Sequence, residues 1–157
     1  MNDIYTSPES DLNVATSSHR DFKLYTLTGM GVATFFGSPI AGGFLLSRNY
    51  KALGMGAEAS KALWISIGGT ILFILALMLI EQFVALPQIS YAVPQVIIVH
   101  QLAKYYQGEY IEQHQVEAGL LYSNWRAFGI SLLIMLAVLA LTISLALIWV
   151  GVWGGGF

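Results

Sequence analysis

The chain has no cysteine. That excludes disulfides, thiolate metal sites and thiol catalysis, and leaves the redox compartment undetermined. Charge is scarce as well, at 10% of 157 residues, where a soluble domain carries about 25%. The net charge of -2 is too small to point to nucleic acid or to a strongly charged partner. No glycine-rich loop with lysine is present for a nucleotide, and no Ser/His/Asp arrangement stands out. Between Lys23 and Arg48, between Lys61 and Glu81, and from Phe128 to Val150 there is no Asp, Glu, Lys, Arg or His. A proton-coupled pump would ordinarily need one at membrane depth, so the chain reads as non-enzymatic, with no cofactor and no metal.

What is present is oil. Hydrophobic residues make up 56% and mean hydropathy is +0.66. Phe128 to Val150 is an uncharged run of 23 residues, about 34 Å as a helix against a hydrocarbon core of about 30 Å. Tyr122 and Trp125 precede it, and Trp149 and Trp153 close it, as interfacial anchors should. The sequence therefore predicts an all-α integral membrane protein with three transmembrane helices, at about 24–47, 62–84 and 127–150. The bilayer is its first partner. Residues 1–22 are rich in Ser, Thr, Asn and Asp and read as a flexible polar tail. Residues 23–157 read as one membrane domain. The tail is no cleavable signal, so the first apolar segment is expected to serve as an uncleaved anchor.

The segment between the second and third spans is ambiguous. It is uncharged for 22 residues after Glu81 but interrupted by Pro87 and Pro94. Over about 88–118 an interfacial, amphipathic or re-entrant helix is expected, in pieces broken at Gly108 and Gly119. The alternative is a fourth span. Orientation hangs on this choice, because Lys and Arg are shared almost evenly between the two sides in the three-span reading.

Small residues are patterned in the first span. Gly29, Ala33, Gly37 and Ala41 recur every fourth residue, which on a continuous helix makes one face for close packing. Gly68, Gly69 and Ser66 of the second span are the expected counterparts. Pro39, followed by Gly42 and Gly43, predicts a kink or unwinding near residues 38–43. The densest polar group is Glu81, His100, Glu109, Glu112 and His114, with Glu117 nearby. No His pair has the three- or four-residue spacing of a helical metal site, so a solvated face is the expectation there.

Two stretches carry a resemblance. The opening NDIYTSPESDL is similar to a short leader found before several unrelated families of small bacterial inner-membrane proteins. ATFFGSPIAGGFLLSRNYKALG (Ala33 to Gly54), with Leu86-Pro87 and SNWRAFGI (Ser123 to Ile130), resembles a family of small bacterial membrane proteins without assigned function. The resemblance implies a bacterial inner membrane and about this number of spans, and brings no catalytic residues. The functional expectation is an accessory, scaffold or interaction subunit that meets other membrane proteins, or itself, through the glycine face of span one. Alternatives are a small-solute or ion conduit, motivated by the proline-interrupted segment, and an immunity-type protein against a membrane-active toxin.

Overall fold

The computed structural model describes residues 22–84, 87 and 89–153. The polar tail expected before Phe22 therefore lies outside the described residues. The fold is all-helical, with four helices among the described residues: α1 (Leu27–Ala52), α2 (Gly56–Glu81), α3 (Ile89–Val116) and α4 (Asn124–Trp153). By length and apolar composition α1, α2 and α4 each suffice to cross a membrane, as expected of a multi-pass membrane protein. Two short strands, β1 (Lys23–Leu24) and β2 (Leu120–Leu121), pair in parallel with Lys23 opposite Leu120. They tie the entry of α1 to the entry of α4.

The expected kink in α1 is far sharper than a kink. Ser38 has φ 75 and ψ 170 inside the helix, directly before Pro39. Proline has no N–H to offer the preceding turn and disfavours helical backbone at the residue before it. The chain reverses at this point. Tyr25 N–H donates to Asn49 Oδ1 at 2.7 Å, and Asn49 Nδ2 donates to Tyr25 C=O at 2.9 Å. In a continuous helix those residues would lie about 36 Å apart. Closer to the bend, the place a Cβ on Gly42 would occupy is 3.4 Å from the Met30 carbonyl oxygen. Residues 27–37 and 39–52 are thus two half-helices lying antiparallel, about 16 and 21 Å long. The helix expected over about 24–47 is thus not continuous: it breaks at Ser38, whose φ redirects everything after it.

This hairpin is the core. Each of the other helices packs on α1, and they hardly touch one another. Ala59 and Ala62 of α2 lie with Tyr50. Ala127 and Ser131 of α4 line up along the first half-helix at Gly29 and Gly37. Ala103 and Ile111 of α3 join Leu24, Met30 and Leu45 in the buried cluster. Two ends of the molecule follow. The near end holds residues 22–26, the α1–α2 turn and the α3–α4 connection. The far end holds the α2–α3 connection, where the Tyr91 hydroxyl donates to the Glu81 carboxylate.

The turn from α1 to α2 is a left-handed cap. Gly54 has φ 75, Met55 N–H donates to Tyr50 C=O at 2.8 Å, and Gly54 N–H donates to Lys51 C=O. Glycine takes that conformation without a Cβ penalty. The segment expected in pieces over 88–118 is instead one helix of 28 residues, about 42 Å long, with Pro94 inside it. Gly108 does not break it. It ends at Val116, where Ala118 takes φ 57 and Gly119 N–H donates to His114 C=O.

Candidate functional site

The hairpin tip is built for close approach. A Cβ on Gly37 would sit 2.7 Å from the Ser131 carbonyl oxygen, and one on Gly29 would sit 3.3 Å from Ala127 Cβ. Ala33 and Ala41 are fully buried. The small-residue face proposed for outside partners is thus turned inward, with Gly29 and Gly37 against α4. Ala41 does not extend that face, because the break lies between it and Gly37; it meets Gly37 across the bend. Gly42 and Gly43 face elsewhere, toward Thr34 and Val99, and toward Ser66 of α2. Gly68 and Gly69 look into open space.

Hydroxyls ring the tip. Thr34, Ser66 and Thr70 each donate to the carbonyl four residues back, and Ser131 to Phe128 C=O, at 2.7–2.9 Å. This is how such side chains are satisfied in an apolar setting. Ser38 is the exception, its Oγ buried without a hydrogen-bond partner. Near the other end, Gln107 is wholly buried and its amide donates to Leu46 C=O at 3.0 Å. The sequence does not single out Asn49 or Gln107, and marks Ser38 only as the start of the expected kink. For Asn49 a signal exists, a lone amide at the end of an apolar run, but with Arg48, Tyr50 and Lys51 the sequence reads there as a polar, basic collar that ends the span. Arg48 and Lys51 of that collar are exposed while Asn49 and Tyr50 are buried.

The polar group expected on 81–114 does not assemble. Glu81 is at the far end with Tyr91. His100 is half-buried beside Gly31, and Glu109 and Glu112 are exposed. His114 is buried, stacked on Phe22 at 4.8 Å with Nε2 3.0 Å from Leu120 C=O, and so secures the strand pair. Among the described residues no three acidic or histidine side chains come together to hold a metal ion.

A groove does form, where α2 and α3 diverge over the second half-helix. Its volume is about 330 Å³, lined by Gly43 and by the apolar side chains of Leu46, Ile65, Val99 and Leu102. Tyr50, Glu58, Lys61 and Tyr106 line its polar end. Lys61 Nζ and Glu58 Oε1 form an ion pair at 2.7 Å. The size and make-up suit a small apolar ligand with a polar head. The chain matches no protein-family model, no curated protein and no solved structure.

Proposed function

We propose that the chain is a non-enzymatic protein of the bacterial inner membrane, and that it acts as an accessory or interaction subunit. In this reading α1 is a re-entrant hairpin, and α2, α3 and α4 are the three crossings. The half-helices are about 16 and 21 Å long, too short for a hydrocarbon core of about 30 Å. Irregular backbone at membrane depth is tolerated where protein buries it, and α1 has protein against it from three helices.

The charges favour the same topology. Five of the six Lys and Arg among the described residues belong to the near end. Lys23, Arg48, Lys51, Lys61 and Arg126 flank the connections there. Lys104 is further along α3, sharing a surface cleft with Leu27. Positive residues collect on the cytoplasmic side, so the near end is assigned to the cytoplasm. The near-tie of the straight-span reading disappears once α1 folds back. The resemblance of residues 33–54 and 123–130 to small bacterial membrane proteins supports the compartment.

One observation carries the interaction reading: beyond the hairpin tip the outer helices are uncovered. Every residue from Met135 to Val150 is exposed, and from Ile71 to Glu81 only Phe73 and Leu77 are half-buried. Membrane helices associate where small residues permit close approach. Gly68 and Gly69 of α2, themselves exposed, stand just before this uncovered stretch, and together they replace the inward-turned face of α1 as the association surface. Single cysteines at Gly69 and Leu139 should crosslink to another membrane protein or to a second copy in native membranes, while one at Gly37 stays silent. No crosslink from either outer position would sink the interaction reading.

The conduit reading keeps one specific support, the broken helix with an unpartnered hydroxyl at its tip, a feature transporters place at mid-membrane. Reconstituted protein that passes no ion or small solute removes it.

A further inference from the structure

We infer that the groove between α2 and α3 holds one phospholipid of the phosphatidylethanolamine class, its acyl chain between the helices and its headgroup at Lys61 and Glu58. The inference rests on the topology above, which puts the polar end of the groove at the cytoplasmic interface. Four observations lead to it. First, the groove opens sideways. α2 and α3 hardly touch, so its mouth faces the bilayer, whose chains are the surrounding apolar solvent. Second, its walls are aliphatic, from Leu46 and Ile65 on one side to Val99 and Leu102 on the other. A chain laid there replaces lipid packing on three helices at once. Third, glycine fixes one wall. A Cβ on Gly43 would collide with Ser66, so α2 can lie close against α1 while α3 stands apart from α2.

The fourth observation selects the headgroup. At the polar end stand one cation and one anion, Lys61 and Glu58, paired at 2.7 Å and both well exposed. An exposed pair of this kind is held weakly and exchanges readily. Phosphate accepts from the Lys61 ammonium, and the ethanolamine ammonium donates to the Glu58 carboxylate. The two dipoles then lie head to tail. A choline headgroup has no N–H for Glu58, and a glycerol headgroup has no positive charge for it. Tyr50 and Tyr106 add phenols at the level where amphipathic rings prefer to sit.

Native mass spectrometry of the full chain, purified in mild detergent, tests this. The probes are dioleoyl phosphatidylethanolamine, phosphatidylcholine and phosphatidylglycerol. The expected result is retention of one ethanolamine lipid, favoured about tenfold over the choline lipid, the size of one charge-assisted hydrogen bond. Leu102→Trp, which fills the groove, should abolish retention; Ile65→Trp does so from the facing wall if the first variant does not fold. Glu58→Gln should remove the preference and keep the lipid. Leu72→Trp, on the exposed face of α2, should change nothing. Equal retention in wild type and both groove-filling variants overturns the proposal, as does equal retention of the three headgroups by wild type. Cysteine accessibility that contradicts the three crossings, with lipid retention intact, would strike the topology and leave the groove standing.

Discussion

Tyr25 and Asn49 exchange two hydrogen bonds, the Asn49 amide closing on both the N–H and the C=O of Tyr25. They are 24 residues apart, one at each foot of the hairpin. No water reaches them, since Asn49 is 1% exposed and Tyr25 2%. The pair acts as a clasp, and its geometry is possible only because the chain reverses at Ser38.

Breaking the clasp should therefore cost more than one surface hydrogen bond. Asn49→Ala leaves a buried donor and a buried acceptor on Tyr25 unmatched, at about 1–3 kcal/mol for each orphaned group. Asn49→Asp keeps the acceptor and loses the donor. Asp also buries a charge against the Tyr25 carbonyl oxygen, so both variants should fall below wild type in detergent unfolding, with Asp no more stable than Ala. Equal stability of wild type and Asn49→Ala would show that the clasp does not hold the hairpin.

Ser38 sits in a backbone region that is essentially glycine's own, at a cost of order 1–3 kcal/mol for another residue. Its hydroxyl has no partner, so little is lost by removing it. Ser38→Gly should raise the unfolding midpoint, and Ser38→Val should lower it. A straight α1 predicts the reverse, since glycine in a helix interior is unfavourable by about 1 kcal/mol relative to alanine.

Glycines of the two helices should answer differently to the same change. Gly37→Ala puts a methyl 2.7 Å from the Ser131 carbonyl oxygen, which is backbone and has nowhere to go. α1 and α4 must separate, with an overpacking cost of about 1–3 kcal/mol. Gly69→Ala meets nothing within 4 Å and gains helix propensity of up to about 1 kcal/mol. Thermal unfolding of the two variants should shift in opposite directions.

The absence of cysteine makes the topology directly testable, since each introduced thiol is the sole one. Lys23→Cys and Met55→Cys should label with an impermeant reagent from the same side, although α1 lies between them. Ser123→Cys should join them, and Gln82→Cys should label from the opposite side. Labelling of positions 23 and 55 from opposite sides would mean that α1 crosses.

Much of the architecture was legible beforehand. Uncharged windows bounded by Lys23, Arg48, Lys61 and Glu81 mark apolar helices because lipid admits no unpaired backbone and few charges. The disturbance near Ser38 to Gly43 was legible from Pro39. Its amplitude was not. Hydropathy counts residues without regard to direction, and a four-residue register assumes that the helix continues. For the same reason Asn49 read as a surface collar: its partner lies 24 residues upstream, where no local pattern reaches. His114 likewise read as one of a polar cluster, whereas stacking on Phe22 and the Leu120 carbonyl bury it.

Composition alone thus determined the apolar, helical material this protein is made from and the scarcity of charge along its long apolar helices. Those follow from side-chain transfer energies, which add along the chain whatever its path. Tertiary structure alone decided that α1 returns to the end where it began and that α3 runs the length of the molecule. With that, five of the six described cations fall at one end. The physical reason is a single dihedral angle: rotation at Ser38 changes no composition and no periodicity, yet it reverses the direction of every residue that follows.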